Sequence, residues 1–261
     1  MNKATTKLNH RVSAFVLSTS LCAVAWGQTG KQDAPVSNPP APAVAAPSAT
    51  GPVSKSHSID EPDLTRETQA GVREPDYAGL VWWIPMEFWL QAGAKKGQPP
   101  EKTAETFKAL RGYTVVGIFV SKVSNLGGFE FVSPADLRRS VVLRDASGVD
   151  YSSTQELVPD AKAIASIIKP LLANALGKAG ENFEILFFPA SDKNGKPIAD
   201  AKGKGSFSVV LKDIAGVHES IYQWRLPLTS VTEPKYCPVG KERVNANWTY
   251  CPWHGATLDV H

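Results

Sequence analysis

The chain has 261 residues, enough for one substantial core plus tails and too few for two large domains. Its formal charge of +3, from 28 Lys and Arg against 25 Asp and Glu, sits entirely in the first 27 residues, at Lys3, Lys7 and Arg11. Residues 28–261 are therefore neutral, which removes the support for a nucleic-acid-binding surface, and a hydrophobic share of 43% excludes a wholly disordered chain.

Residues 1–27 read as a secretory signal peptide. The basic front leads into an apolar run from Val12 to Trp26, and Ala25 and Gly27 flank Trp26 as small residues at a cleavage site after Gly27. A run of this length falls short of the roughly 20 residues that cross a bilayer, so no membrane span is expected once the leader is cleaved. An uncleaved leader acting as an anchor, or a lipidated Cys22, are the alternatives. Residues 28–76 read as a linker. From Gln28 to His57 the chain holds six Pro and six Ala with no aromatic residue, a composition that cannot offset its ordering entropy. From Ser58 to Asp76 it turns charged, and the same mobile character is expected. His57 lies in this tail, an unsuitable place for a catalytic base.

Order is expected from Tyr77, in a folded domain spanning 77–232. Tyr77, Trp82, Trp83, Phe88 and Trp89 crowd its start, with Pro85 breaking any single element; the rings suit a core better than an exposed sugar or membrane platform. A helix is predicted from Glu101 to Arg111, with Ala104, Phe107 and Leu110 on one side. Tyr113–Val123 reads as a central strand, Asn125–Gly128 as a turn and Phe129–Val132 as a returning strand. Ser133-Pro134 forms a helix start. Val141–Arg144 and Val149–Ser152 flank a hairpin loop at Asp145–Gly148. The clearest helix runs from Asp160 to Leu176, where Ile164, Ile167, Ile168, Leu171, Leu172, Ala175 and Leu176 form one stripe; Gly177 ends it and Pro170 predicts a kink or two abutting helices. Ile185–Phe188 reads as a buried strand and Lys193–Lys196 as a turn. Phe207, Val209 and Leu211 mark a half-exposed strand. In Ile221–Leu228, Tyr222, Trp224 and Leu226 share one face, with Gln223 and Arg225 on the other. These elements predict an α+β fold: an antiparallel β-sandwich-like core with an inserted amphipathic helix. The stretch "VVLRDASGVDY" at Val141–Tyr151 resembles a hairpin of immunoglobulin-like secreted bacterial domains.

The last segment, 233–261, carries Cys237 in Tyr-Cys-Pro-Val-Gly and Cys251 in Tyr-Cys-Pro-Trp-His-Gly. The doublet resembles a zinc ribbon, in which two Cys-Pro-x-Cys-Gly knuckles supply four ligands and form a ribbon-like hairpin. By that resemblance Cys237, Cys251 and His254 match ligand positions, and Gly240 stands where the remaining ligand belongs. Glu242, Asp259 or His261 would have to complete the set. An oxidising compartment instead favours pairing of two lone cysteines, so a Cys237–Cys251 disulfide is the first expectation and zinc the alternative. The opening "IPMEFW", the helix "KPLLANALG" and the tail "YCPWHG" are also similar in order to uncharacterised secreted bacterial proteins, which implies organisation and no chemistry.

No Gly-x-Ser-x-Gly elbow or phosphate loop is present, and His218-Glu219-Ser220-Ile221-Tyr222 lacks the second histidine of a zinc protease. Asp192–Gly195 reads as a turn, not a calcium loop. A carboxylate-dependent hydrolase, using a pair such as Asp145 and Asp150, is the enzymatic alternative. The expectation is a secreted or periplasmic, non-enzymatic domain without catalytic residues or cofactor, binding an envelope or extracellular partner.

Overall fold

The computed structural model describes residues 61–258, apart from 73, 75, 125–127 and 215–216. The predicted leader, the Pro/Ala-rich stretch with His57, and Asp259 and His261 lie outside the described residues, as does most of the predicted turn at Asn125–Gly128. Within the described part, structure begins before Tyr77, which corrects the expectation of a mobile charged linker. Helix α1 (Glu61–Thr68) buries Leu64 completely. The Thr68 hydroxyl donates to Leu64 O (2.8 Å) and accepts from the Trp82 indole N–H (3.2 Å), and strand β1 (Gln69–Gly71) then pairs with β2 (Tyr77–Trp83). Composition hid this segment because a single Leu and its capping polar groups carry its docking.

Pro85 ends β2 and starts α2 (Met86–Ala94), a helix absent from the sequence reading. The helix expected over Glu101–Arg111 divides into α3 (Pro100–Thr106) and a 3₁₀ turn at Lys108–Gly112. Phe107 sits at the break, buried and stacked on Trp89 with ring centroids 5.1 Å apart. Trp82, Trp83, Phe88 and Trp89 are all buried, as a core reading requires, and meet edge to face, Trp82–Phe88 at 5.0 Å and Phe88–Trp89 at 5.2 Å.

Strand β3 (Tyr113–Val123) is the central strand that its β-branched sequence predicts. One edge carries β2. The other carries β4 (Phe129–Phe131) and β7 (Glu184–Pro189) at different heights, giving a five-stranded antiparallel sheet. Helix α4 (Pro134–Ser140) starts at Ser133, whose hydroxyl accepts from the Asp136 N–H at 3.1 Å. The hairpin of β5 (Val141–Arg144) and β6 (Asp150–Ser152) turns where predicted. Asp145 Oδ1 accepts from the Ser147 and Val149 amides (2.8 and 3.0 Å), and Gly148 takes a φ of +86°. Strands β8 (Gly205–Ile214) and β9 (Val217–Leu226) complete a second antiparallel sheet in the order β6-β5-β8-β9.

Helix α5 (Pro159–Ala175) runs through Pro170 as one element and buries Ala161, Ile168 and Leu172. Gly177, at φ +59°, follows its end as predicted. Both sheets feed one core: Trp83 meets Phe207 and Trp224 with centroids 4.8 and 6.4 Å apart. Strand β8 departs from its half-exposed prediction, since Ser208 and Val210 are buried as well as Phe207, Val209 and Leu211. Glu184 lies inside and is ion-paired on two sides, with Arg138 of α4 and Lys169 of α5, each at 2.5 Å. The class is α+β. A separate two-stranded antiparallel pair, β10 (Lys235–Tyr236) with β11 (Arg243–Val244), follows the second sheet.

Candidate metal centre

Two turns in the last 25 described residues have the same backbone. In the first, the Cys237 N–H donates to Glu242 O (3.0 Å) and the Lys241 N–H to Cys237 O (2.9 Å), with Lys241 at φ +60°. In the second, the Cys251 N–H donates to Ala256 O (2.8 Å) and the Gly255 N–H to Cys251 O (2.8 Å), with Gly255 at φ +63°. Each turn starts with Cys-Pro and curls its following amides back onto the sulfur. The Gly240 N–H points at Cys237 Sγ from 3.5 Å. Such a turn fixes a sulfur and the residue three positions on at neighbouring points.

The two turns converge. Cys237 and Cys251 are buried free thiols, with no disulfide between them. His254 Nδ1 lies 3.4 Å from Cys237 Sγ and 3.5 Å from Cys251 Sγ. Glu242 Oε1 lies 3.4 Å from Cys251 Sγ and 3.1 Å from His254 Nδ1. All four donor atoms fall within 4.8 Å of one another. A tetrahedral zinc ion, with Zn–S near 2.3 Å and Zn–N or Zn–O near 2.0–2.2 Å, sets sulfur to nitrogen or oxygen separations of about 3.6 Å and nitrogen to oxygen of about 3.3 Å. Four of the six donor separations, 3.1–3.5 Å, lie close to those figures, and the donor set, two thiols with an imidazole and a carboxylate, is one zinc accepts.

Of the three residues that the sequence offers as a fourth ligand, Glu242 is brought to the cluster, and Asp259 and His261 lie outside the described residues. Gly240 explains how. A Cβ there would lie 1.9 Å from Glu242 Oε2 and 2.6 Å from His254 Cε1. His254 occupies the third position after Cys251; the equivalent position after Cys237 is left bare, and the Glu242 carboxylate fills that space from two residues further on. Protonation follows the same geometry. Burial pushes the Cys237 thiol up, but the Gly240 and Val239 amides, Cys251 and His254 outweigh it, and the net direction is down. Burial prevails at Cys251, whose pKa is raised. The Glu242 carboxyl is lowered, first by its own backbone amide and then by the two thiols and His254.

Around the cluster the hairpin has little core: Val244 and Leu258 are buried beside the cysteines, and Trp248 packs against them. It is tied to the body by polar contacts. Thr229 Oγ1 donates to Asn245 Oδ1 (2.8 Å) and accepts from the Ala246 N–H (3.1 Å). So small an apolar cluster contributes little to holding its loops.

The other predicted chemistry is not assembled. Asp150 is bound by Arg144 and Lys212, and its carboxyl is held at about 2, chiefly by the Arg144 hydrogen bond. Asp145 is occupied by Ser147, Val149 and the Tyr151 hydroxyl. The two acids serve their hairpin separately. Asp192 closes its turn onto the Asn194 and Lys196 amides (2.8 and 2.9 Å). A cleft of about 330 Å³ brings Glu87 and Asp200 to one wall; burial raises the Glu87 carboxyl, while Asp200 is exposed and holds the Lys202 amide of its own turn. The His218 side chain is outside the described residues. No helix among the described residues is long and apolar enough to cross a membrane. No family model, curated protein or solved structure matches the chain.

Proposed function

We propose that Cys237, Glu242, Cys251 and His254 hold a structural zinc ion, and that the chain is a metal-stapled, non-enzymatic binding domain. The carrying observation is the convergence of four donor atoms within 4.8 Å of one another, four of their six separations being 3.1–3.5 Å. A bound zinc supplies a fixed cross-link; four protein ligands leave no open position for a substrate. The disulfide reading accounts for the two cysteines alone. It gives no reason for His254 and Glu242 to converge on them, nor for a glycine at position 240. Metal ligation accounts for all five residues. On this reading the last segment is a ribbon-like hairpin with one knuckle residue exchanged for Glu242, attached to a sandwich-like pair of sheets. Export through residues 1–27 and binding of an envelope or extracellular partner belong to the same proposal and draw on the sequence alone.

Metal analysis joined to intact-mass measurement tests it. One zinc per chain and free thiols at both Cys237 and Cys251 after denaturation in chelator, a third being Cys22 where the leader is retained, support the centre. A chain that carries no metal and gains the mass of about two hydrogens on reduction, the signature of a disulfide, overturns it.

A further inference from the structure

We infer that the groove between the second sheet and the metal hairpin binds an acidic saccharide. The groove has a volume of about 620 Å³, within the range of small-ligand sites (about 300–1,000 Å³). One wall is the outer face of β9, where Gln223 and Arg225 project opposite the buried Tyr222 and Trp224. The other wall runs from Asn247 to Pro252, the stretch that leads into the second Cys-Pro turn.

Its chemistry is specific in kind. Tyr250 is 61% exposed, and Trp248 stands edge-on to the exposed Trp253 at 5.7 Å. Of these rings Tyr250 and the half-buried Trp248 line the groove, and an exposed ring such as that of Tyr250 suits the C–H face of a sugar ring. Asn247 and Gln223 add planar amides that can donate and accept, as vicinal hydroxyls require. The lining includes one cation, Arg225, and no carboxylate. Among the described residues the Arg225 guanidinium has no hydrogen-bond or ion-pair partner; only its carbonyl is engaged, by Asn247 Nδ2 at 3.5 Å. A guanidinium in such a place is matched by a carboxylate, which it binds through two parallel hydrogen bonds. Aromatic faces, amides and one unneutralised guanidinium together select a saccharide bearing a carboxylate, a uronic acid, over a neutral sugar. The inference rests on the zinc reading in one respect: the metal fixes the wall that carries Trp248 and Tyr250.

Titration of the full chain with a galacturonic acid trimer, followed by tryptophan fluorescence, tests this, with the methyl ester of the same trimer as the uncharged control and zinc measured in every sample. Saturable binding by the acid is expected, weakened about tenfold for the ester, for Arg225→Gln and for Tyr250→Ala, as loss of a charge-assisted bond or a stacking face predicts, with zinc unchanged in both variants. No saturation, equal binding of acid and ester, or wild-type affinity in both variants overturns it. A chain that binds the acid trimer but holds no zinc keeps the groove and removes the metal centre, so the two failures are separable.

Discussion

Gly240 shows how one missing side chain sets a site. Its Cβ would fall 1.9 Å from a carboxylate oxygen, and that oxygen sits at the end of a rotatable side chain. Gly240→Ala is therefore predicted to leave the chain folded while pushing Glu242 off the metal, with zinc affinity lower by about 10–100-fold, read by competition against a chromophoric chelator; unchanged affinity would remove Glu242 from the ligand set. A second residue-scale prediction concerns Asp150. Its carboxyl is held at about 2 against an ordinary 3.8. The depressed value means that the ionised form is favoured by folding, so its contribution is full above pH ~4 and disappears as the pH falls through ~2. Asp150→Asn should lower the melting temperature at neutral pH, and the gap to wild type should close between about pH 4 and 2. A gap that is independent of pH would mean that the Arg144 and Lys212 pairs contribute nothing to folding.

At the scale of elements, α1 is the informative case. Glu67 Oε1 accepts from the Thr229 N–H (3.1 Å), and Glu67 Oε2 from the Ser230 N–H and hydroxyl (2.9 and 2.7 Å). The Trp224 indole N–H donates to the Glu67 carbonyl at 3.0 Å. One acidic side chain thus satisfies two amides of the 3₁₀ turn that leads into the hairpin. Glu67→Ala should cost about 1–3 kcal/mol, the penalty of stranded donors, measured by urea denaturation; a loss below about 0.5 kcal/mol, the range of ordinary surface substitutions, would count against this role. Helix α5, β3, β9 and the Asp145 hairpin were legible because each rests on local rules: a stripe at helical period, β-branched runs, alternation, and an Asp-x-x-Gly turn. Helix α1 was not, since its stabilising partners lie more than 150 residues away. Nor was α2, which shares one continuous aromatic run with β2.

For the molecule as a whole, the core and the hairpin are held by different means. The two sheets and α5 share a large apolar cluster, whereas among the described residues the hairpin has four buried ones, two of them the cysteines. Chelation should therefore disorder the hairpin and spare the body: near-ultraviolet signals from Trp248 and Trp253 should collapse while far-ultraviolet ellipticity changes little, and added zinc should restore them. Loss of all secondary structure on chelation would show that the hairpin is integral to the main core. By itself the sequence determined the α+β class, the order of most strands and the two Cys-Pro turns, because periodicity and turn chemistry act between neighbours along the chain. Only the tertiary structure decided that Glu242 lies beside Cys251 and His254, that Asp145 and Asp150 are occupied separately, and that, among the described residues, the Arg225 guanidinium is left without a partner beside Trp248 and Tyr250. Those outcomes depend on which distant segments meet, and donor geometry in space is fixed by packing, to which spacing along the chain is blind.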